Sequence, residues 1–149
     1  MSQNADMMKL YSKRILALAA EIPLTDRLEA PDATARKRSP LCGSTVTVDI
    51  TLNNGAISEF GQDVKACALG QAAASIIAQN IIGRTQGEIQ TGRDQLKDML
   101  TDAGTPPAEP FAELETLLPA KDYKNRHASI LLTFDAILAA YEEASAPTS

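Results

Sequence analysis

Residues 45–65 read TVTVDITLNNGAISEFGQDVK, and this stretch predicts a β-hairpin. In its first half, apolar residues at positions 46, 48, 50 and 52 alternate with threonine and aspartate, which is the pattern of a half-buried strand. Residues 53–55, NNG, favour a tight turn because asparagine and glycine tolerate positive φ. Residues 56–65 then form the returning strand. Just before the hairpin, residues 36–40, RKRSP, are interpreted either as a solvated edge strand or as a patch that docks a partner.

Outside the hairpin, apolar residues at helical spacing, together with capping-box spacing from Thr85 to Glu88 and from Thr91 to Asp94, predict six helices. They cover residues 7–22, 68–83, 86–91, 93–102, 110–118 and 126–144. Asn4 or Asp6 can cap the first helix and Pro23 ends it, while Pro119 ends the fifth. Strands that precede a run of helices are typical of an α+β fold. We therefore expect a small antiparallel sheet of about three strands, with helices packed on one face.

Composition limits the classes of function. The chain has 149 residues and a formal net charge of −5, which suits one domain over residues 1–149 with frayed ends. The surplus of acidic residues argues against nonspecific nucleic-acid binding. No apolar run approaches the roughly 20 residues of a membrane span. The first residues lack a basic region followed by an apolar one, so we expect no export, no membrane association and a cytoplasmic location.

Two cysteines and one histidine are the candidate chemical groups: Cys42, Cys67 and His127. Cys42 precedes one predicted strand and Cys67 follows its hairpin partner, so both belong at the same end of the sheet. Cys67 opens a predicted helix, where the helix dipole and free N–H groups favour thiolate. His127 opens the last predicted helix, where the same dipole favours neutral imidazole. These three donors would suit Zn²⁺, iron or an iron–sulfur cluster.

Other interpretations of these residues stay open at this point. A free cysteine is often a small buried hydrophobe, and a single histidine is often structural. A Cys–His nucleophilic pair has no further support in the sequence. Glycine-rich phosphate loops and the nucleophile motif of serine hydrolases are absent, so we expect a binding protein rather than an enzyme.

Three segments, taken in order, resemble the NifU-like N-terminal domain, the family of the IscU and SufU iron–sulfur scaffolds. They are SPLCG at 39–43, the run GAI at 55–57 that leads to Cys67 and ALGQAAAS, and HASIL at 127–131. The resemblance covers roughly residues 8–143. It implies the scaffold fold, a bound [2Fe–2S] cluster or iron, and partnership with a cysteine desulfurase and acceptor apo-proteins.

The chain departs from this family pattern at two ligand positions. The family has aspartate two residues after its first cysteine, where this chain has Ser44. The family's third cysteine is replaced by Ala128 if the histidines are matched, or by His127 if the alignment shifts by one residue. The family's chaperone-binding motif is represented at most by Leu118-Pro119-Ala120-Lys121. A neutral serine is a poor metal ligand, so this donor set should hold a cluster less firmly unless an outside thiol or a second subunit completes it.

Three hypotheses follow. The first is a scaffold that binds iron, zinc or a [2Fe–2S] cluster through Cys42, Cys67 and His127, acts as a monomer or weak dimer, and passes its cargo on. The second is a non-catalytic adaptor of the assembly machinery that binds a partner through residues 36–38. The third is a zinc or persulfide sulfur relay without a cluster.

Overall fold

The computed structural model describes residues 12–40, 43–102 and 104–145, so Cys42 lies outside the described residues. In chain order, the elements are α1 (Lys13–Ala20), β1 (Ala33–Arg38), β2 (Thr45–Asn53), β3 (Ala56–Lys65), α2 (Ala68–Gln79), α3 (Gln86–Thr101), the 3₁₀ helix η1 (Ala112–Asp122) and α4 (Lys124–Ser145). The α+β class is confirmed.

The three strands form one antiparallel sheet in the order β1-β2-β3. The predicted hairpin is confirmed: Asn54 and Gly55 both have positive φ, at 55° and 82°. Pairing runs from Asn53 with Ala56 at the turn to Thr45 with Lys65 at the far end. The interpretation of the basic segment as an edge strand is also confirmed, because β1 pairs only with β2 in the described sheet.

Helices cover one face of this sheet. The apolar row of β2, Val46, Val48 and Ile50, is at most 1% exposed. Helix α2 is rich in alanine, so it packs closely, and nine of its twelve residues are buried. Helix α4 contacts β1, β2, α2 and α3 and thus forms the centre of the helical layer. Burial of this continuous apolar surface is the main stabilising term of the fold.

The other face of the sheet is partly covered by the loop that follows α1. Asp49 belongs to the polar row of β2, yet its side chain is fully buried. It accepts hydrogen bonds from Arg27, from the Leu28 N–H and from the Thr34 hydroxyl. Burial by itself would raise the pKa of Asp49, but these bonds and the Arg27 charge outweigh it and hold the pKa below its ordinary value. The buried pair thereby fixes the loop on the sheet.

Several predicted helix boundaries were wrong. One continuous helix, α3, replaces the predicted pair 86–91 and 93–102. Its capping box at Thr85 was predicted correctly, but Gly92 does not break the helix. A Cβ at Gly92 would come within 2.7 Å of the Phe111 ring, so the glycine allows a close contact inside the core. The next helix does not end at Pro119, because η1 continues through it to Asp122.

The ends of the first and last helices also differ from the prediction. Helix α1 begins at Lys13, with the Ser12 hydroxyl accepting a hydrogen bond from the Ile15 N–H at 3.2 Å, and it ends at Ala20. The proposed caps Asn4 and Asp6 lie outside the described residues, as do residues 7–11. Helix α4 covers two residues more at its start and one more at its end than predicted. Within the described ranges, no helix is long and apolar enough to cross a membrane.

Candidate functional site

The candidate site lies at the end of the sheet where β2 begins and β3 ends. We call this the thiol end and define it by Ser44, Lys65 and Cys67. Thr45 pairs with Lys65, so the chain entering β2 and the chain leaving β3 are neighbours there. Cys67 is the N-cap residue of α2, its side chain makes no capping hydrogen bond, and it is a half-buried free thiol. The predicted position of Cys67 at a helix start is confirmed.

Two serine hydroxyls lie beside the Cys67 sulfur. Ser129 Oγ is 3.6 Å from Cys67 Sγ and 3.0 Å from Ser44 Oγ. Both serines are almost fully buried, with 4% exposure for Ser44 and 2% for Ser129. The Ser44–Ser129 contact joins residues that are 85 positions apart in the chain, and the Cys67–Ser129 contact joins residues that are 62 positions apart. We refer to Ser44, Cys67 and Ser129 as the Ser–Cys–Ser cluster.

A missing side chain in α2 makes room for this cluster. A Cβ at Gly70 would lie 2.5 Å from Ser129 Oγ and 3.1 Å from the Ser129 carbonyl oxygen. Helix α4 can therefore approach the first turn of α2 only because residue 70 is glycine. The sequence analysis did not identify Ser129 as a neighbour of Cys67. The local sign of this close contact was Gly70, a glycine inside a predicted helix.

The segment before β2 turns back on itself at the thiol end. The Ser39 N–H donates to the Ser44 carbonyl at 2.8 Å, and the Gly43 N–H donates to the Ser39 carbonyl at 2.9 Å. Gly43 has φ of +71°, a conformation that favours glycine. Residues 39 and 44 are thus held together at the sheet end that carries Cys67. Cys42 belongs to this segment by sequence, and its own position is outside the described residues.

His127 has a different set of neighbours. Its Nε2 atom lies 3.0 Å from the Ala120 carbonyl oxygen and 2.9 Å from that of Lys121. Since carbonyls only accept, Nε2 carries the hydrogen, and Nδ1 is the ring nitrogen with a free lone pair in neutral imidazole. Residues 127 and 129 are about 200° apart around a helix, so the two side chains leave α4 on different faces. Ser129 contacts Cys67, while His127 contacts the end of η1.

Positive side chains surround the open side of the thiol end. Arg38 and Lys65 flank Thr45 on the face of the sheet away from the helices, and Arg36 stands one row further along. Arg36 and Lys65, with Asp63 as the one acidic neighbour, line a shallow cavity of about 230 Å³. In a chain of net charge −5, this local excess of cations favours anions at the thiol end.

The donor atoms set what the site can hold. Among the residues that the structure describes, no group of three histidine, cysteine or acidic side chains could hold a metal ion. The described part of the thiol end offers one soft donor, Cys67, and two hydroxyls that are poor ligands while protonated. A thiolate is a good ligand for zinc and iron, so Cys67 suits these metals. A tetrahedral ion needs further donors from residues 41–42, from His127 Nδ1, or from another molecule.

A three-stranded antiparallel sheet with a helical layer and a cysteine at the start of α2 defines the structural class. Among solved structures, a nitrogen-fixing NifU-like protein (N-terminal) from Brucella abortus is 43% identical, with a TM-score of 0.90 over 95% of this chain and 99% of that one. This likeness shows the family. The chain therefore belongs to the NifU-like N-terminal structural family of iron–sulfur cluster scaffolds, and the resemblance noted in the sequence is confirmed.

More distant solved structures share the fold alone. A candidate iron–sulfur cluster assembly scaffold protein for the SUF system, from Fervidobacterium islandicum AW-1, is 20% identical, with a TM-score of 0.80 over 90% of this chain and 98% of that one. A hypothetical protein is 18% identical, with a TM-score of 0.80 over 91% and 98% of the two chains. No protein-family profile matches the chain, and no curated protein matches it.

Proposed function

We propose that this chain is an iron–sulfur cluster assembly scaffold. It binds iron, zinc or a [2Fe–2S] cluster as cargo at the thiol end of the sheet and passes it to acceptor proteins. One observation supports this above all. Cys67 is a partly exposed thiol at a helix start, on the same sheet end as the segment that contains Cys42. Family membership supports the same function.

Each candidate residue has a defined role in this proposal. Cys42 and Cys67 are the thiolate ligands, and one of them also accepts sulfur as a persulfide from a cysteine desulfurase. His127 contributes a neutral nitrogen through Nδ1, since Nε2 donates to main-chain carbonyls. Ser44 and Ser129 orient the Cys67 sulfur rather than bind metal. The cations near the thiol end balance the negative charge of two thiolates.

Anaerobic reconstitution tests the scaffold function. The apo-protein is supplied with ferrous iron, cysteine, a cysteine desulfurase and dithiothreitol, which reduces the transferred sulfur to sulfide. Bound iron, acid-labile sulfide and visible absorption are measured after desalting. We expect the wild-type chain to retain iron and sulfide, and Cys67→Ser and Cys42→Ser each to lose them. His127→Gln separates the ligand role of His127 from its structural role. Glutamine can donate an N–H to the carbonyls of Ala120 and Lys121, but it has no ring nitrogen to bind a metal. Retained cargo in both cysteine variants would contradict the proposal.

A second candidate function is a partner-binding adaptor without cargo. The specific observation in its favour is that the described residues contain no group of three metal donors. Its docking surface would be Arg36, Lys37 and Arg38 on the free edge of the sheet. In this case, capture of the desulfurase from solution should be unchanged in the double variant Cys42→Ser/Cys67→Ser. Capture should weaken in Arg36→Glu/Arg38→Glu.

The third hypothesis, a sulfur relay, predicts a different result. Zinc and a persulfide would be found by mass spectrometry, and the protein would show no visible absorption.

A further inference from the structure

The two outer edges of the sheet differ in how the rest of the chain covers them. On β3, the Gln62 N–H donates to the Leu24 carbonyl at 3.0 Å. Nearer the hairpin turn, the Ile57 N–H donates to the Arg84 carbonyl, and the Ile57 carbonyl accepts from the Gly83 N–H. Other segments therefore close the β3 edge at two places. Strand β1, by contrast, uses its main chain only to pair with β2 within the described ranges.

The register shows which main-chain groups of β1 are left over. In an antiparallel pair, successive residues of a strand direct their N–H and C=O groups alternately toward the partner strand and away from it. The Ser39 N–H donates to the Ser44 carbonyl, so the odd-numbered residues of β1 bond to β2. Arg36 and Arg38 therefore direct their N–H and C=O groups outward. These groups have no main-chain partner among the described residues, and they form a free edge to which one more strand can pair.

The arginine side chains at this free edge are unpaired cations. Lys37, between the two arginines, stands opposite Val46, which is buried on the helical face. Arg36 and Arg38 therefore belong to the other face of the sheet, away from the helices. Both are exposed, and neither forms an ion pair with any residue that the structure describes. An added strand would meet two cations on this face.

The helical side of the free edge has a different character. A groove of about 450 Å³ lies there between β1 and the helices, and its apolar lining includes Leu132 and Leu138 of α4. Apart from Arg38, its charged lining residues balance in sign: Lys37, Arg93, Asp135 and Glu142. The groove therefore does not select an anion, and a further carboxylate beside the two acidic residues would be disfavoured. Apolar side chains of an added strand fit this side.

A second copy of this chain is a poor occupant of the free edge. Antiparallel pairing of β1 with another β1 would place the cations of residues 36–38 opposite the same three cations. Like charges directly opposite each other are destabilising, and basic side chains on an edge strand commonly prevent such self-pairing. The same charges favour a strand that carries carboxylates opposite Arg36 and Arg38.

We propose that the free edge of β1 binds an extended segment of a partner protein as a fourth, antiparallel strand. Acidic and apolar residues alternate in this segment. Its carboxylates pair with Arg36 and Arg38, its apolar side chains lie in the groove beside Leu132, and its main chain bonds to that of the two arginines. The inference goes beyond cargo binding and holds whether or not Cys67 binds a metal.

The first test titrates the metal-free protein with a blocked peptide of sequence EVEVEVE and follows backbone amides by NMR. We expect the peptide to bind and to slow amide exchange at Arg36 and Arg38, because their N–H groups gain acceptors. Exchange at Gln62, on the closed β3 edge, should not change. The peptide EEVVEEV has the same composition and charge without the alternation, and it should not give this protection. Equal protection by both peptides would contradict the proposal.

N-methylation of the peptide separates main-chain pairing from attraction between charges. In the proposed register the glutamates lie opposite Arg36 and Arg38, so their N–H groups point toward β1 and those of the valines point away. Methylation of the glutamate nitrogens should abolish binding, whereas methylation of the valine nitrogens should preserve it. The two methylated peptides carry the same charge. Equal affinities, or the reverse order, would therefore count against an added antiparallel strand.

Variants of the protein test the role of the two arginines. Arg36→Gln/Arg38→Gln should weaken binding of EVEVEVE by about 5- to 25-fold, up to about fivefold for each exposed charged contact. Lys13→Gln/Lys97→Gln is the matched control, because it removes the same charge from two exposed positions on helices α1 and α3. Its affinity should stay close to that of the wild-type chain. The same loss in both double variants would mean that net charge alone governs binding, which would overturn the proposal.

The outcomes separate this inference from the proposed function. Cys42→Ser/Cys67→Ser should bind EVEVEVE as the wild-type chain does, since the free edge uses neither thiol. If the wild-type chain retains iron and sulfide but does not bind the peptide, the inference fails while the scaffold function stands. If it binds the peptide as expected but retains no cargo, the scaffold function fails and the inference stands. Protection of Arg36 and Arg38 that rises with protein concentration alone would identify a second copy as the occupant and refute the inference.

Discussion

Replacing Gly70 by alanine should destabilise the protein, although alanine is the better helix former. Alanine in place of glycine stabilises a helix by at most about 1 kcal/mol. The new Cβ, however, would lie 2.5 Å from Ser129 Oγ and 3.0 Å from the Ala66 Cβ. The Ser129 hydroxyl must then rotate away and lose its bond to Ser44, which costs about 1 kcal/mol. Crowding in a packed interior adds about 1–3 kcal/mol. We expect a net loss of about 2 kcal/mol.

Urea unfolding at 25 °C, with the slope checked for constancy, measures this change in the free energy of unfolding. For a chain of this size, about 2 kcal/mol corresponds to a melting temperature lower by roughly 4–8 °C. Gly87→Ala is the matched control. Gly87 also lies in the first turn of a helix, α3, but nothing comes within 4 Å of its new Cβ. It should therefore be neutral or stabilising by up to about 1 kcal/mol.

A double-mutant cycle assigns the cost to the Ser–Cys–Ser cluster. In a Ser129→Ala background the closest contact of the new Cβ disappears, while Ala66 and the residue 129 carbonyl remain near 3 Å. The cost of Gly70→Ala should then fall to about 1 kcal/mol or less, which gives a coupling of at least about 1 kcal/mol. The reasoning would be refuted by equal costs in the two backgrounds, or by a Gly70→Ala variant as stable as Gly87→Ala.

Three further predictions concern elements that hold the site in place. Asp49→Asn should lower the free energy of unfolding, measured with urea, by about 3 kcal/mol at pH 7. The exposed control Asp63→Asn should leave it almost unchanged. The pKa of Asp49 is lower in the folded state than in the unfolded chain. Its contribution to the free energy of unfolding is therefore fully present above about pH 4 and is lost as the pH falls through the folded pKa. Acidification should thus lower the stability of Asp49→Asn less than that of the wild-type chain. Tyr141→Phe should cost about 1 kcal/mol in the same assay, since its hydroxyl donates to two main-chain carbonyls at 3.0 Å; no loss would count against that contact. Thr85→Ala removes one half of the capping box with Glu88 and should lower the free energy of unfolding by about 1 kcal/mol, with amide exchange increased in the first turn of α3.

The parts of the fold that depend on neighbouring residues were predictable from the sequence. The alternation in β2 and the positive-φ turn at Asn54 and Gly55 act over a few residues, so the hairpin and its register follow directly. The helix start at Cys67 follows from the end of β3 in the same way. Local reasoning failed at Gly92, because the Phe111 ring that the glycine accommodates comes from a distant segment.

Long-range polar contacts could not be predicted. Asp49 stands in the polar row of an alternating strand and was expected to face solvent. Its burial depends on Arg27, which is 22 residues away in an irregular loop. The contact between Ser44 and Ser129 joins positions 85 residues apart, and the sequence gives no indication that the two hydroxyls meet. The candidate site was therefore predictable at Cys67, whereas its buried hydroxyl neighbours became apparent only in the folded chain.

The fold and the metal donors of this chain are energetically separable. Among the described residues the buried core is mainly aliphatic and includes the Phe111–Phe134 pair, and Cys67 is only partly buried at its edge. This chain has the same backbone fold as its NifU-like relative, with a TM-score of 0.90. A sequence can keep such a backbone while the polar residues at one end of the sheet change. Substitutions at Ala128 would remove little apolar surface from the core, whereas Ser44 is buried and hydrogen-bonded to Ser129. For this reason cargo retention and desulfurase capture by the cysteine variants, rather than closer comparison of backbones, discriminate between a scaffold and an adaptor.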